Sequence, residues 1–97
     1  MKQYHTNRAR EISPDYYEVP YTDYLEDGSV RGHGTEDFSG ARLRGLTRRS
    51  AYVRTGHKRR DGSDSWECIG YIAANSTRDC LSIARLLHGD GVKMRMY

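Results

Sequence analysis

A chain of 97 residues with 36% apolar and 30% charged side chains holds one small core, because a domain of this size buries only about 60–65% of its unfolded surface. It has no run of about 18 apolar residues, and no apolar stretch follows the basic start MKQYHTNRAR, so neither a transmembrane helix nor a cleaved secretory signal is expected. The net charge of +3 hides a segregation: residues 1–10 carry Lys2, Arg8 and Arg10, residues 11–37 carry eight acids against Arg31 alone, and residues 38–97 carry twelve Lys/Arg against five Asp/Glu.

Residues 1–14 show no apolar rhythm and end in Ser13-Pro14, which reads as a flexible N-terminal arm before a single domain over 15–97. Tyr21–Glu26 and Ser29–His33 flank Asp27-Gly28, a pattern for a β-hairpin closed by a two-residue type I′ turn. Pro20 lacks a backbone donor and belongs at a strand start or on an edge. Ala41–Leu46 alternates apolar with basic residues and reads as a half-exposed strand or bulged segment.

The β-formers of 50–59 and 64–73 predict a second hairpin around Asp61-Gly62. Counting outward pairs His57 with Trp66, Thr55 with Cys68, Val53 with Gly70 and Ala51 with Ile72. That set is the more apolar and becomes the expected core face. Arg54 against Ile69 and Tyr52 against Tyr71 fall on the other face. Ser76 with Asp79 starts a helix over 77–88, whose stripe Cys80/Ile83/Ala84/Leu87 faces inward and which Gly89 ends. Val92–Tyr97 alternates as a last strand. The expected architecture is α+β: one small antiparallel sheet of about five strands and two hairpins, with one helix in the C-terminal half packed on it.

Cys68 and Cys80 are the only cysteines. In a reducing cytosol they are expected to be free and buried, slow to react until the protein unfolds. Neither pairs with a second Cys or a His at the short spacing of a zinc site, and His33 beside Glu36 and Asp37 lies in a glycine-rich loop. No metal or cofactor is expected. No nucleophile elbow is present either, and a non-enzyme is the expectation.

Two segments carry the functional signal. Arg54, His57, Lys58, Arg59 and Arg60 cluster on the second hairpin with Trp66 nearby, and Arg42, Arg44, Arg48 and Arg49 extend the basic run. A cationic ribbon with an aromatic suits phosphate backbones and bases, although basic side chains also keep a hairpin tip soluble and blunt an edge. Tyr16, Tyr17, Tyr21, Asp23, Tyr24, Glu26 and Asp27 form the other segment. Tyrosines interleaved with carboxylates suit a basic groove on a protein partner, unless they serve as the core of an aliphatic-poor domain.

A small chain without a catalytic or helix-turn-helix motif, with a Tyr/acid segment and an Arg-rich one, resembles at the level of class the phage- or mobile-element-encoded inhibitors of the anti-CRISPR type. The resemblance implies a non-catalytic protein, cytoplasmic in the host cell and without a membrane partner. It would bind a host protein or ribonucleoprotein complex that handles nucleic acid and block nucleic-acid or partner binding. The residues themselves leave two alternatives open. One is a small DNA/RNA-binding module using hairpin 54–60. The other is a small basic RNase toxin with His57 as acid/base beside three cations, although in those families the helices usually come early, whereas the one clear helix here comes late.

Overall fold

Strand β3 (Tyr16–Tyr24) is the centre of the first sheet. It pairs antiparallel with β4 (Val30–Ser39) from Tyr16↔Ser39 to Tyr24↔Val30. Two short strands share its other side end to end: β1 (Lys2–Tyr4) opposite Tyr21–Asp23, and β2 (Arg10–Ser13) opposite Tyr16–Glu18. Between them the chain leaves the sheet as a 3-10 turn over Thr6–Arg8. The computed structural model describes residues 1–96, with side chains through residue 94.

Pro20 accounts for the break between β1 and β2. Its carbonyl accepts the His5 N–H at 2.8 Å, and a strand residue's N–H and C=O point to the same side. The donor that proline lacks therefore faces the gap where no partner strand runs. Pro20 sits neither at a strand start nor on an edge. Residues 1–14, expected as an arm, instead contribute two strands and the buried Tyr4. Strands of three and four residues are too short for alternation to reveal them.

Both hairpins close through the same loop, Leu25-Glu26-Asp27-Gly28-Ser29 and Arg59-Arg60-Asp61-Gly62-Ser63. The first residue's N–H donates to the serine carbonyl at 2.9 and 2.8 Å, and the glycine N–H returns to the first residue's carbonyl at 3.0 Å in both. The Asp Oδ1 accepts the serine N–H at 2.9 Å and its hydroxyl at 2.6 Å in both loops. Within each loop only the glycine has positive φ, 90° and 85°. These are three-residue loops with a left-handed glycine, and the expected type I′ turns are replaced.

That extra loop residue shifts the second hairpin, β5 (Thr47–Lys58) with β6 (Asp64–Ala74). An irregularity around Gly56 (φ 85°) shifts it further, and one at Ile69-Gly70 (Gly70 φ 114°) takes part of that shift back. Arg54 faces Trp66, Tyr52 faces Cys68 and Ala51 faces Gly70, so every pair of the expected register is replaced. Each inserted residue moves the side chains beyond it to the opposite face.

β7 (Lys93–Met96) pairs with the free side of β5, giving the order β6-β5-β7. The end of the expected last strand, Tyr97, lies outside the described residues. Helix α2 (Thr77–His88) starts as expected, with Ser76 Oγ accepting the Asp79 N–H at 3.1 Å. Cys80, Ile83 and Ala84 pack against Ala51, Ile72, Ala74 and Val92. Leu87 does not join them and is 44% exposed. It shares their helical face, so its exposure marks where the helix outruns the sheet.

A second core joins the two sheets. Tyr4, Val19 and Phe38 meet Ala73 on the face of β6 opposite α2, and the Tyr4 ring stands edge-on to Phe38 at 5.1 Å. Segment 41–46 feeds this core as a short helix, α1 (Gly40–Arg44), and not as a strand. The Ser39 hydroxyl accepts the Arg42 N–H at 3.2 Å and so caps it. The fold is α+β, and the described residues form seven strands in two antiparallel sheets.

The register change separates the cysteines. Cys80 is buried, its thiol lies 3.4 Å from the Ile72 carbonyl, and burial pushes its pKa up. Cys68 is exposed, against expectation, because the Ile69 bulge turns it to the open face. A thiol reagent should label Cys68 in the native protein and Cys80 only on unfolding. Mass spectrometry of the labelled chain checks this, and native protection of Cys68 would contradict the placement.

Candidate functional site

Beyond Val53 the second hairpin leaves the packed body. Every residue from Arg54 to Ser63 is exposed, and the molecule is drawn out to 52 Å along its longest axis against 28 and 19 Å. Alternation and register put Tyr52, Arg54, Trp66 and Cys68 on one face of this ribbon. Trp66, expected in the core, is only half-buried there. The Arg54 guanidinium carbon lies 5.3 Å from its ring centroid and the Lys93 ammonium 4.2 Å.

Arg54 and Lys58 are held apart by a single carboxylate, with Arg54 Nε at 3.3 Å and Lys58 Nζ at 2.7 Å from Asp64. The Lys58 hydrogen bond keeps the Asp64 carboxyl below the usual range, and the charges of Arg54 and Lys93 add to it. Exposed pairs of this kind contribute at most about 1 kcal/mol, so a phosphate can take the cations over. Arg59 and Arg60 stand at the exposed tip. The ribbon thus carries four cations and β7 adds Lys93, with Arg54 and Lys93 over the Trp66 ring. Open depressions of about 450 and 480 Å³ flank the ring, and Trp66 and Lys93 line both.

Arg48 and Arg49 do not belong to this surface. The Arg48 guanidinium donates to the Leu43 and Leu46 carbonyls at 3.0 and 3.3 Å, tying α1 to β5. Arg49 donates to the Arg48 carbonyl at 2.8 Å and to Thr77 Oγ1 at 2.9 Å, tying β5 to α2. Arg42 and Arg44 are likewise engaged, on Glu36 at 2.7 Å and Asp15 at 3.4 Å.

The Tyr/acid segment divides in the same way. Tyr16 is exposed, whereas Tyr17, Tyr21 and Tyr24 are half-buried against the two cores. Asp23 binds the N-terminal ammonium at 3.0 Å, which draws its pKa down. Glu18 pairs with Arg10 at 3.3 Å, Asp27 closes its loop, and Glu26 remains at the exposed tip. Glu36 gathers Lys2 at 3.0 Å, Arg42 at 2.7 Å and the Tyr4 hydroxyl at 3.3 Å. Burial pushes its carboxyl up, but the Lys2 and Arg42 bonds outweigh that and leave it below the usual range. Much of the charge segregation along the chain is therefore neutralised across the fold.

His57 lies on the exposed ribbon, its backbone N–H donating to Thr55 Oγ1 at 3.3 Å. His5 and His33 share the Thr22 hydroxyl on the first sheet, at 2.8 and 3.2 Å, and line neither ribbon depression. Burial, with Arg8 and His33 adding, holds the His5 pKa below its usual value. Among the described residues no three His, Cys, Asp or Glu are placed to hold a metal ion. No helix is long and apolar enough to cross a membrane.

Lys93 and Asp64 are the residues of this surface that sequence reasoning missed. Lys93 reaches Trp66 only because β7 returns alongside β5, a pairing that alternation within one strand does not encode. Comparisons with protein-family models, curated proteins and solved structures find no match to this chain.

Proposed function

We propose that the chain is a non-catalytic nucleic-acid-binding module whose working surface is the β5–β6 ribbon. One observation carries the reading. Arg54, Lys58, Arg59 and Arg60 stand exposed on the β5–β6 ribbon with Lys93 of β7 over its Trp66, while Arg48 and Arg49 are bound within the fold and Arg42 pairs with Glu36 at the surface. Asp61, Asp64 and exposed Glu67 share this ribbon and Asp90 lines the second depression, so the five cations leave the surface with only a small positive excess. Such a surface contacts phosphates and gives affinity without sequence readout. The setting we propose is the cytoplasm of a host cell.

The test is binding to a labelled oligonucleotide across a salt series. Neutralising four or five phosphates gives a log–log slope of about −4. The double variant Arg59→Ala/Arg60→Ala should flatten that slope by about 2 and weaken binding to all sequences alike. An absence of binding to any nucleic acid at low salt would overturn the reading.

A second reading rests on the β3–β4 loop. Leu25 and Val30 are 45% and 49% exposed beside Glu26 at the β3–β4 loop, an apolar tip with an acidic neighbour. It suits a stoichiometric inhibitor of the anti-CRISPR type that docks on a host nucleic-acid-handling complex. Under this reading Leu25→Asp abolishes binding to that complex and leaves oligonucleotide binding unchanged.

A further inference from the structure

We infer that Trp66 is a stacking platform for an unpaired base, so that the ribbon's ligand is single-stranded nucleic acid. The inference deepens the nucleic-acid reading above and rests on it. Trp66 is the only tryptophan of a chain poor in large apolar side chains. Such a side chain is ordinarily largely buried, and here it is half-buried on β6, paired across the ladder with exposed Arg54.

The surroundings match a strand laid across the ring. The depressions of about 450 and 480 Å³ meet at Trp66 and Lys93, and each falls within the range of small-ligand pockets. Arg59 lines the first beside Asp64 and Arg54 the second beside Asp90, and Lys93 at both gives each side an excess cation for a flanking phosphate. A base seated on the ring therefore has room for its neighbours.

Duplex nucleic acid cannot use this arrangement. Its bases are stacked on one another and show only their edges in the grooves, whereas Trp66 offers a ring face. The Lys93 ammonium at 4.2 Å from the ring centroid holds that place in the free protein. At this half-buried ring the cation–π contact is comparable to base stacking or weaker. A base displaces the ammonium from the ring and leaves it beside the phosphate that enters with the base.

Because Trp66 is the sole tryptophan, fluorescence excited at the red edge of the absorption, beyond the eight tyrosines, reports this residue alone. The experiment titrates the protein with a 12-mer of deoxythymidine, a 12-mer of uridine and a 12-base-pair duplex. Both single strands should quench the emission and bind about 10-fold or more tighter than the duplex at moderate salt. Trp66→Ala should weaken single-strand binding by about 10- to 100-fold and leave duplex binding unchanged, with Trp66→Phe restoring part of the loss. Preference for one single strand identifies DNA or RNA as the source and supports the platform equally. Equal binding of all three without quenching overturns the stacking role and leaves the ribbon reading standing. If none of the three binds, the underlying nucleic-acid reading fails with it.

Discussion

Phe38→Ala is expected to lower the unfolding free energy by about 3–5 kcal/mol. Phe38 is 0% exposed, and it lies where the first sheet meets the second through Ala73. Its ring takes the edge of Tyr4 at 5.1 Å on one side and carries the Arg42 guanidinium at 4.1 Å on another. Truncation opens a cavity that β4 cannot fill, because its backbone is tied along its length to β3. It also frees Arg42, which holds Glu36 at 2.7 Å. Against a total of about 5–15 kcal/mol for a small domain, this loss leaves a large unfolded fraction. Urea unfolding followed by circular dichroism checks it, and a cost below about 1 kcal/mol would mean that the sheets are not joined at this point.

Ile83→Ala should cost about 2–4 kcal/mol and Leu87→Ala less than about 1 kcal/mol. The two residues are one helical turn apart on one face of α2, and helical spacing alone gives them equal standing. In the fold Ile83 is fully buried among Ala51, Ile72 and Val92, whereas Leu87 is 44% exposed. Ala51, Ile72 and Ala74 around Ile83 are held in β5 and β6, which cannot close over the gap. Equal costs for the two variants would contradict the placement of the helix on the sheet.

What could be read from the sequence was local. Ser76, Asp79 and the Cys80/Ile83/Ala84 spacing located α2 to the residue, because capping and amphipathic periodicity act within a few turns. The two Asp-Gly pairs located both hairpins. Register was not legible. A serine after the glycine makes each Asp-Gly a three-residue loop, and Gly56 and Gly70 add irregularities on opposite strands that move the register in opposite senses. The same error placed Trp66 and Cys68 in the core. The strands of residues 1–14 exist only because β3 offers its far side, interrupted at Pro20. Arg48 and Arg49 read as surface charge because their acceptors are backbone carbonyls and Thr77, which leave no mark in charge patterning.

The most direct test of the ribbon as the working surface is an amide chemical-shift titration of the labelled protein with the deoxythymidine 12-mer. The shifts should concentrate between Arg54 and Trp66 and at Lys93, and the Trp66 indole N–H should move most. Residues of the Tyr16–Asp27 segment should hold their positions, since its tyrosines largely face the cores and Asp23 is engaged by the N-terminal ammonium. Shifts confined to Tyr16–Asp27, or no shifts at saturating oligonucleotide, would contradict the account.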